Sequence, residues 1–328
     1  MRFHFRTATS VFRKTLPFVM LRLGIGLLCG LLAVVYFGAI AWFGRRLLES
    51  GSISELVAVV GLALSIGLFV AGWRLVSRYV LYLVKVAHIA VIAHVIETGE
   101  VPSNQIQYGK SQVSEHFTEA SALFAVDQLI KAVITQFNGA VVSFSSLVSI
   151  VPNLQKLVQL LGKAIAIAAS YIDEAIIAYM FTNSDQNRWR SARDGVVLYG
   201  KNWRSVLGST LLIVVGMYAV AFVLALALIP VATTLGSVSG QYQLLGWAVV
   251  VGTIVTIYTG FLKPWVKTVV ITTFLLESRE TQPDSEMMDR VAERSERFQE
   301  LVGKADGRSA EEGSQPPSES IASGDGIR

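Results

Sequence analysis

Two adjacent carboxylates, Asp173 and Glu174, stand in the run Ala164–Phe181, which is otherwise made mainly of Ala, Ile, Tyr and Met. A carboxylate at membrane depth costs about 2.5–3.5 kcal/mol on insertion scales, so it turns toward a bundle interior or water and needs a partner. The pair is therefore the leading candidate for a proton- or cation-linked site. The competing reading is structural, with the helix at the membrane surface or beneath a bundle and the carboxylates capping or pairing with Lys or Arg. Lys163 stands eleven positions before Glu174 and nearly on the same helix face. At about 1.5 Å of rise per residue it is roughly 16 Å away, too far to be a direct partner.

His88 and His94 are six residues apart and so fall on different faces of a helix, where they would not chelate one ion. His94 and Glu97 have an i,i+3 spacing that can hold metal but recurs by chance. Glu115 and Glu119 read as a solvated face, because no Glu-x-x-His segment accompanies them. No metal or other cofactor is expected. The chain has no G-x-x-x-x-G-K-[ST], no G-x-G-x-x-G after a strand, no H-E-x-x-H and no G-x-S-x-G. An enzymatic or nucleotide-driven activity is not expected from this chain.

Two further constellations concern packing and lipid. Gly26 and Gly30 form a Gly-x-x-x-Gly pair that permits close helix approach in a membrane. Trp189, Arg190, Arg193, Trp203 and Arg204 fit an amphipathic helix in the headgroup layer, with indoles at the interface and guanidiniums on lipid phosphate.

The elements that must position these residues are mostly apolar. Of 328 residues 52% are hydrophobic and only 16% charged, against about 25% charged in soluble domains. One Cys, Cys29, excludes a disulfide framework. Four segments satisfy the roughly 17–25 apolar residues of a spanning helix: Leu23–Phe43, Leu56–Trp73, Leu211–Ile229 and Leu244–Leu262. Lys and Arg cluster before the first and third and after the second and fourth, which predicts both termini on the cytoplasmic side of the cell membrane. From Asp284 onward the chain has 11 acidic and 6 basic residues, so the remainder is strongly basic. That basic body suits an anionic lipid surface, and nucleic acid is not expected as a partner.

The expected fold is an all-α integral membrane protein. A basic amphipathic segment (1–22) precedes a first transmembrane hairpin (23–78). A central helical insert (79–183) follows, which either adds two crossings or stays re-entrant or interfacial. A basic interfacial helix (184–208) leads to a second hairpin with a trailing helix (209–281), and a polar tail (282–328) closes the chain. The two hairpins share an outline that fits a parallel repeat, although any two helical hairpins look alike at this level. Within the insert, Asp127 and Lys131 are an i,i+4 pair. In the tail, Asp284–Val302 reads as one exposed helix and Gly303–Arg328 as disordered. Three functions are carried forward. The first is a permease or channel-like protein for a small solute or ion, with Asp173, Glu174, Lys163, His88 and His94 as pathway candidates. The second is a non-catalytic scaffold or assembly factor acting through the insert and tail. The third, a membrane enzyme acting on lipid, lacks convergent catalytic groups. Expected partners are the lipid bilayer and either a second copy or a membrane subunit.

Overall fold

The computed structural model describes residues 4–116, 120–141, 170–183, 185–238 and 240–307. These are helical apart from short connections, with no strand among them. In chain order they form α1 (Phe5–Lys14), α2 (Leu16–Glu49), α3 (Glu55–Thr98), α4 (Gln105–His116) and α5 (Ala120–Val141). Residues 170–182 belong to a helix here called α6. Then come α7 (Arg188–Val238), α8 (Gly240–Ile257), a π-helical turn (Tyr258–Leu262), α9 (Lys263–Ser278), α10 (Ser285–Arg294) and α11 (Glu296–Ala305).

Length and burial divide the long helices into two kinds of surface. At about 1.5 Å per residue, α3 is roughly 66 Å long and α7 roughly 77 Å, more than twice the ~30 Å of a bilayer's hydrocarbon. One part of each is apolar and exposed. Leu56, Leu64 and Leu68 on α3 are 75%, 70% and 68% exposed, and Leu212, Phe222 and Val223 on α7 are similarly bare. The other part is buried: Val86 to Ala93 of α3, and Ser191, Ala192 and Val196 to Tyr199 of α7. Among the described residues four helices are long and apolar enough to cross a membrane, lying within Leu16–Glu49, Glu55–Thr98, Leu212–Thr234 and Val250–Ser278.

The apolar arms are joined in two pairs. Glu49 and Glu55 are separated by a five-residue connection containing Gly51 at φ 68°. Ser54 then caps α3, its hydroxyl accepting from the Val57 amide at 3.4 Å. Across the pair, Tyr36 donates to the Ser65 carbonyl at 3.1 Å and Phe37 meets Phe69 with ring centroids 5.0 Å apart. In the second pair α7 packs along α8. The π turn joins α8 to the buried α9, and Gly260 within it leaves room for Leu23 of α2 against the backbone. A π turn inside a longer helix re-aims the segment that follows it.

The buried body gathers the remaining elements. α1 lays Ala8 and Val11 on α9, with Phe5 stacked on Trp265 at 6.2 Å and the Trp265 indole donating to Thr9 at 3.1 Å. α3 runs on from its exposed part to Thr98, where Gly99 at φ 77° closes it in the left-handed conformation that glycine tolerates. α4 then folds back on α3. Gly109 makes this possible, since a Cβ there would stand 2.7 Å from the Ala87 carbonyl oxygen and 2.9 Å from the Phe18 ring.

The C-terminal segment corrects the expectation of one exposed helix. Ser295 is extended (φ −151°, ψ 106°) and splits the segment into α10 and α11. The cause lies on α5. The Gln136 side-chain carbonyl accepts from the Ser295 hydroxyl at 2.7 Å and the Arg297 amide at 3.2 Å, while Ser295 in turn accepts from the Phe298 amide. These contacts satisfy the unpaired donors at the start of α11 and dock it. Val291, Phe298 and Leu301 are fully buried against the body, each a gain of about 1.5–3 kcal/mol over leaving it in water. The tail, expected as one exposed helix to Val302 and as disordered from Gly303, thus contributes packed structure as far as Ala305. Residues 308–328 lie outside the described residues.

Candidate functional site

α6 places Asp173 and Glu174 in the centre of the body, 1% and 8% exposed. Helices from distant parts of the sequence surround them with charge. α3 supplies Lys85, α5 supplies Asp127 and Lys131, and α9 supplies Lys267. Lys267 Nζ lies 3.1 Å from Glu174 Oε2, close enough for an ion pair though off the line of a hydrogen bond. Lys85 Nζ lies 3.5 Å from Glu174 Oε1 and 3.8 Å from Asp127 Oδ1. Lys131 donates to Asp127 Oδ2 at 2.6 Å and approaches Asp173 Oδ2 to 3.5 Å. Three carboxylates and three ammonium groups therefore share one network, and its formal charge is zero when all are ionised.

The two adjacent acids are not equivalent. Glu174 sits between two ammonium groups, one near each oxygen, whereas Asp173 has one within 4 Å, Lys131 at 3.5 Å, and neither of its oxygens accepts a hydrogen bond among the described residues. Burial pushes the Asp173 carboxyl up to about 7, and the neighbouring Glu174 charge adds to the rise against the pull of Lys85. Burial would raise Glu174 too, but Lys267 and Lys85 outweigh it and hold that carboxyl below its ordinary value. The site can thus hold one fixed negative charge beside one exchangeable proton near neutral pH.

The histidines lie on separate faces. His88 is fully buried and stacks on Phe18 at 5.2 Å with the rings 6° apart, and neither ring nitrogen has a hydrogen-bond partner among the described residues. His94 Nδ1 is 3.2 Å from the Tyr108 hydroxyl. Among the described residues no cluster of three or more His, Cys, Asp or Glu is arranged to hold a metal ion. Lys163 lies outside the described residues.

The aromatic and cationic run opens α7 and faces the C-terminal segment. Trp189 lies under Lys304 Nζ at 4.9 Å, and Arg193 pairs with Asp194 at 2.9 Å and Asp306 at 3.4 Å. Arg190 is exposed and Trp203 packs against the core, while the Arg204 side chain lies outside the described residues. On α2, nothing in the described chain comes within 4 Å of where a Cβ on Gly26 or Gly30 would stand.

Sequence reasoning found the two acids but not the cations that hold them. Asp127–Lys131 was visible only as a local i,i+4 pair, and Lys85 and Lys267 only as contributors to the basic side of the membrane. Each is nonetheless a lone cation in an apolar helical stretch, Tyr79–Val84 with Val86–Ala87 for Lys85 and Val266 with Thr268–Leu276 for Lys267. That isolation is the same signal that singled out Asp173 and Glu174. No protein-family model matches the chain, and no curated protein or solved structure is significantly similar to it.

Proposed function

We propose that this chain is a multi-pass protein of the cell membrane with a permease-like activity, moving a small solute or ion in step with proton binding at Asp173. In this reading the two pairs of apolar arms are transmembrane hairpins crossing four times. The body and both termini are cytoplasmic, in line with the Lys and Arg that flank the arms. The observation that carries the functional part is the asymmetry of the acid pair. Glu174 is neutralised by two lysines, while the Asp173 carboxyl has no hydrogen bond among the described residues and is poised to take up a proton near neutral pH. Buried ionisable groups with perturbed proton affinity cluster at functional sites. Lys85 is on a helix continuous with one apolar arm, and Lys267 is one π turn away from another. A change of charge in the cluster therefore bears on helices from both pairs.

The test is proton movement in liposomes containing the purified protein and a trapped pH indicator, under an imposed gradient with Na⁺ and K⁺ present. Wild type should collapse the gradient faster than protein-free liposomes, and Asp173→Asn should return the rate to that baseline. A wild-type rate equal to that of empty liposomes overturns the proton-linked reading.

The charge balance of the cluster favours a second reading, a non-catalytic membrane scaffold in which the network is a lock between helices. It predicts co-purification with a membrane partner and an Asp173→Asn variant that keeps that partner.

A further inference from the structure

An apolar groove of about 410 Å³ lies between the start of α2, the middle of α3 and α4. Its walls include Phe18 and Leu21 from α2, Leu83 and Val84 from α3, and Ile106 and Val113 from α4, and Lys110 stands at its edge. The volume is within the roughly 300–1,000 Å³ of ligand pockets. Two features identify what would fill it. First, the groove continues the exposed apolar surface of the arms. Met20, Leu27 and Leu28 on α2 and Tyr79 and Val80 on α3 are exposed just beyond its walls, so the path from arm to groove crosses apolar surface. Second, the groove carries a cation and no acid among its lining residues, and the Lys110 ammonium is exposed with no ion-pair partner among the described residues.

We propose that this groove binds one apolar chain of an anionic membrane phospholipid, with the lipid phosphate held by Lys110. The proposal rests on the membrane reading above, because it draws its ligand from the bilayer around the arms. Leu83 lies five residues, or about 8 Å, past Arg78 along α3, so the lipid is one drawn partly out of the bilayer plane. Ile106, Lys110 and Val113 share one face of α4, and Gly109, at the edge of that face beside Val113, lets it seat closely against Ala87 and Phe18, which also line the groove. An apolar chain entering the groove removes Ile106 and Leu83 surface from water, and the phosphate gives Lys110 the partner it lacks.

The test uses full-length protein in vesicles of phosphatidylglycerol carrying a photoactivatable diazirine on the acyl chain, with phosphatidylcholine of the same chain as the comparison. Labelled peptides should map both to the arm of α2 around Leu27–Val35 and to α4. Val113→Trp should fill the groove and abolish the α4 label while the arm label persists. Ile106→Trp, at the exposed lip, should do the same if the first variant fails to fold. Lys110→Gln should reduce the phosphatidylglycerol label on α4 to the level given by phosphatidylcholine. Label on α2 with none on α4, or α4 label unchanged by either Trp variant, overturns the groove and leaves the membrane reading intact. Label on neither overturns both.

Discussion

Replacing Lys267 by Met strips Glu174 of its nearest cation without changing the volume of the site greatly. The ammonium is 4% exposed and 3.1 Å from a carboxylate that is itself 8% exposed. Deleting one member of a buried pair leaves the other charged in a low-dielectric interior, at a cost of about 3–5 kcal/mol. Lys85, at 3.5 Å from the other Glu174 oxygen, remains as partial compensation, so the lower end of that range is expected. Glu174→Gln, which leaves Lys267 with no carboxylate within reach, should cost as much or more. The double variant removes both charges and should lose less than the sum, by at least about 1 kcal/mol, the coupling expected of contacting residues. The assay is unfolding in detergent micelles followed by the fluorescence of the six tryptophans. At roughly 2–4 °C per kcal/mol, a loss of about 3 kcal/mol should lower the midpoint of Lys267→Met by about 6–12 °C, and Glu174→Gln by at least as much. Single effects under about 1 kcal/mol, or strictly additive singles, would refute the reasoning.

Other outcomes follow from the same geometry. Asp173 has a folded-state pKa of about 7 against an ordinary 3.8, so the folded protein binds the extra proton between those values and stability falls as pH rises through that window. Asp173→Asn should remove that slope, and melting curves from pH 5 to 8 should show the variant gaining on wild type by a few kcal/mol. Glu174 has the opposite sign, since its lowered pKa makes its contribution present above the ordinary carboxylate range and lost only in acid. Gln136→Ala should release the N-terminus of α11, costing about 1–3 kcal/mol and raising amide exchange at Arg297 and Phe298 while leaving the arms unaffected. Gly109→Val should force α4 off Ala87 and Phe18 at about 1–3 kcal/mol, read as a lower melting midpoint. Tyr199→Phe should cost about 1–3 kcal/mol, because it leaves the buried Asn138 carbonyl without its 2.7 Å donor.

Much of the helical layout was legible because long uncharged apolar runs follow simple rules. A run such as Leu23–Phe43, with no charge in it, has few ways to fold. The helices nonetheless run well past the expected spans. α3 and α7 continue without a break from exposed arm to buried body, and composition alone does not show where one solvent gives way to another. The tail was misjudged for a related reason. Val291, Phe298 and Leu301 carry a clear apolar stripe, but its partner surface on α5 and α7 is remote in sequence, and Gln136 gave no local sign that it would cap a helix some 160 positions later. The candidate site was half legible. Asp173 and Glu174 announced themselves by their apolar surroundings, yet an isolated charge does not name its partner. Three helices remote in sequence had to converge on α6 before Lys85, Lys131 and Lys267 became parts of one network.

The roles proposed for the charge cluster and the groove both depend on the arms crossing a bilayer with the body on the cytoplasmic face. In a Cys29→Ser background, single cysteines at Ser52 and Ser237 probe the far ends of the two arm pairs, and cysteines at Ser103 and Glu286 probe the body. An impermeant thiol reagent applied to intact cells should modify Ser52→Cys and Ser237→Cys, and should reach the other two only after permeabilisation. Labelling of Ser103→Cys or Glu286→Cys in intact cells, or protection of both arm ends, would contradict that topology.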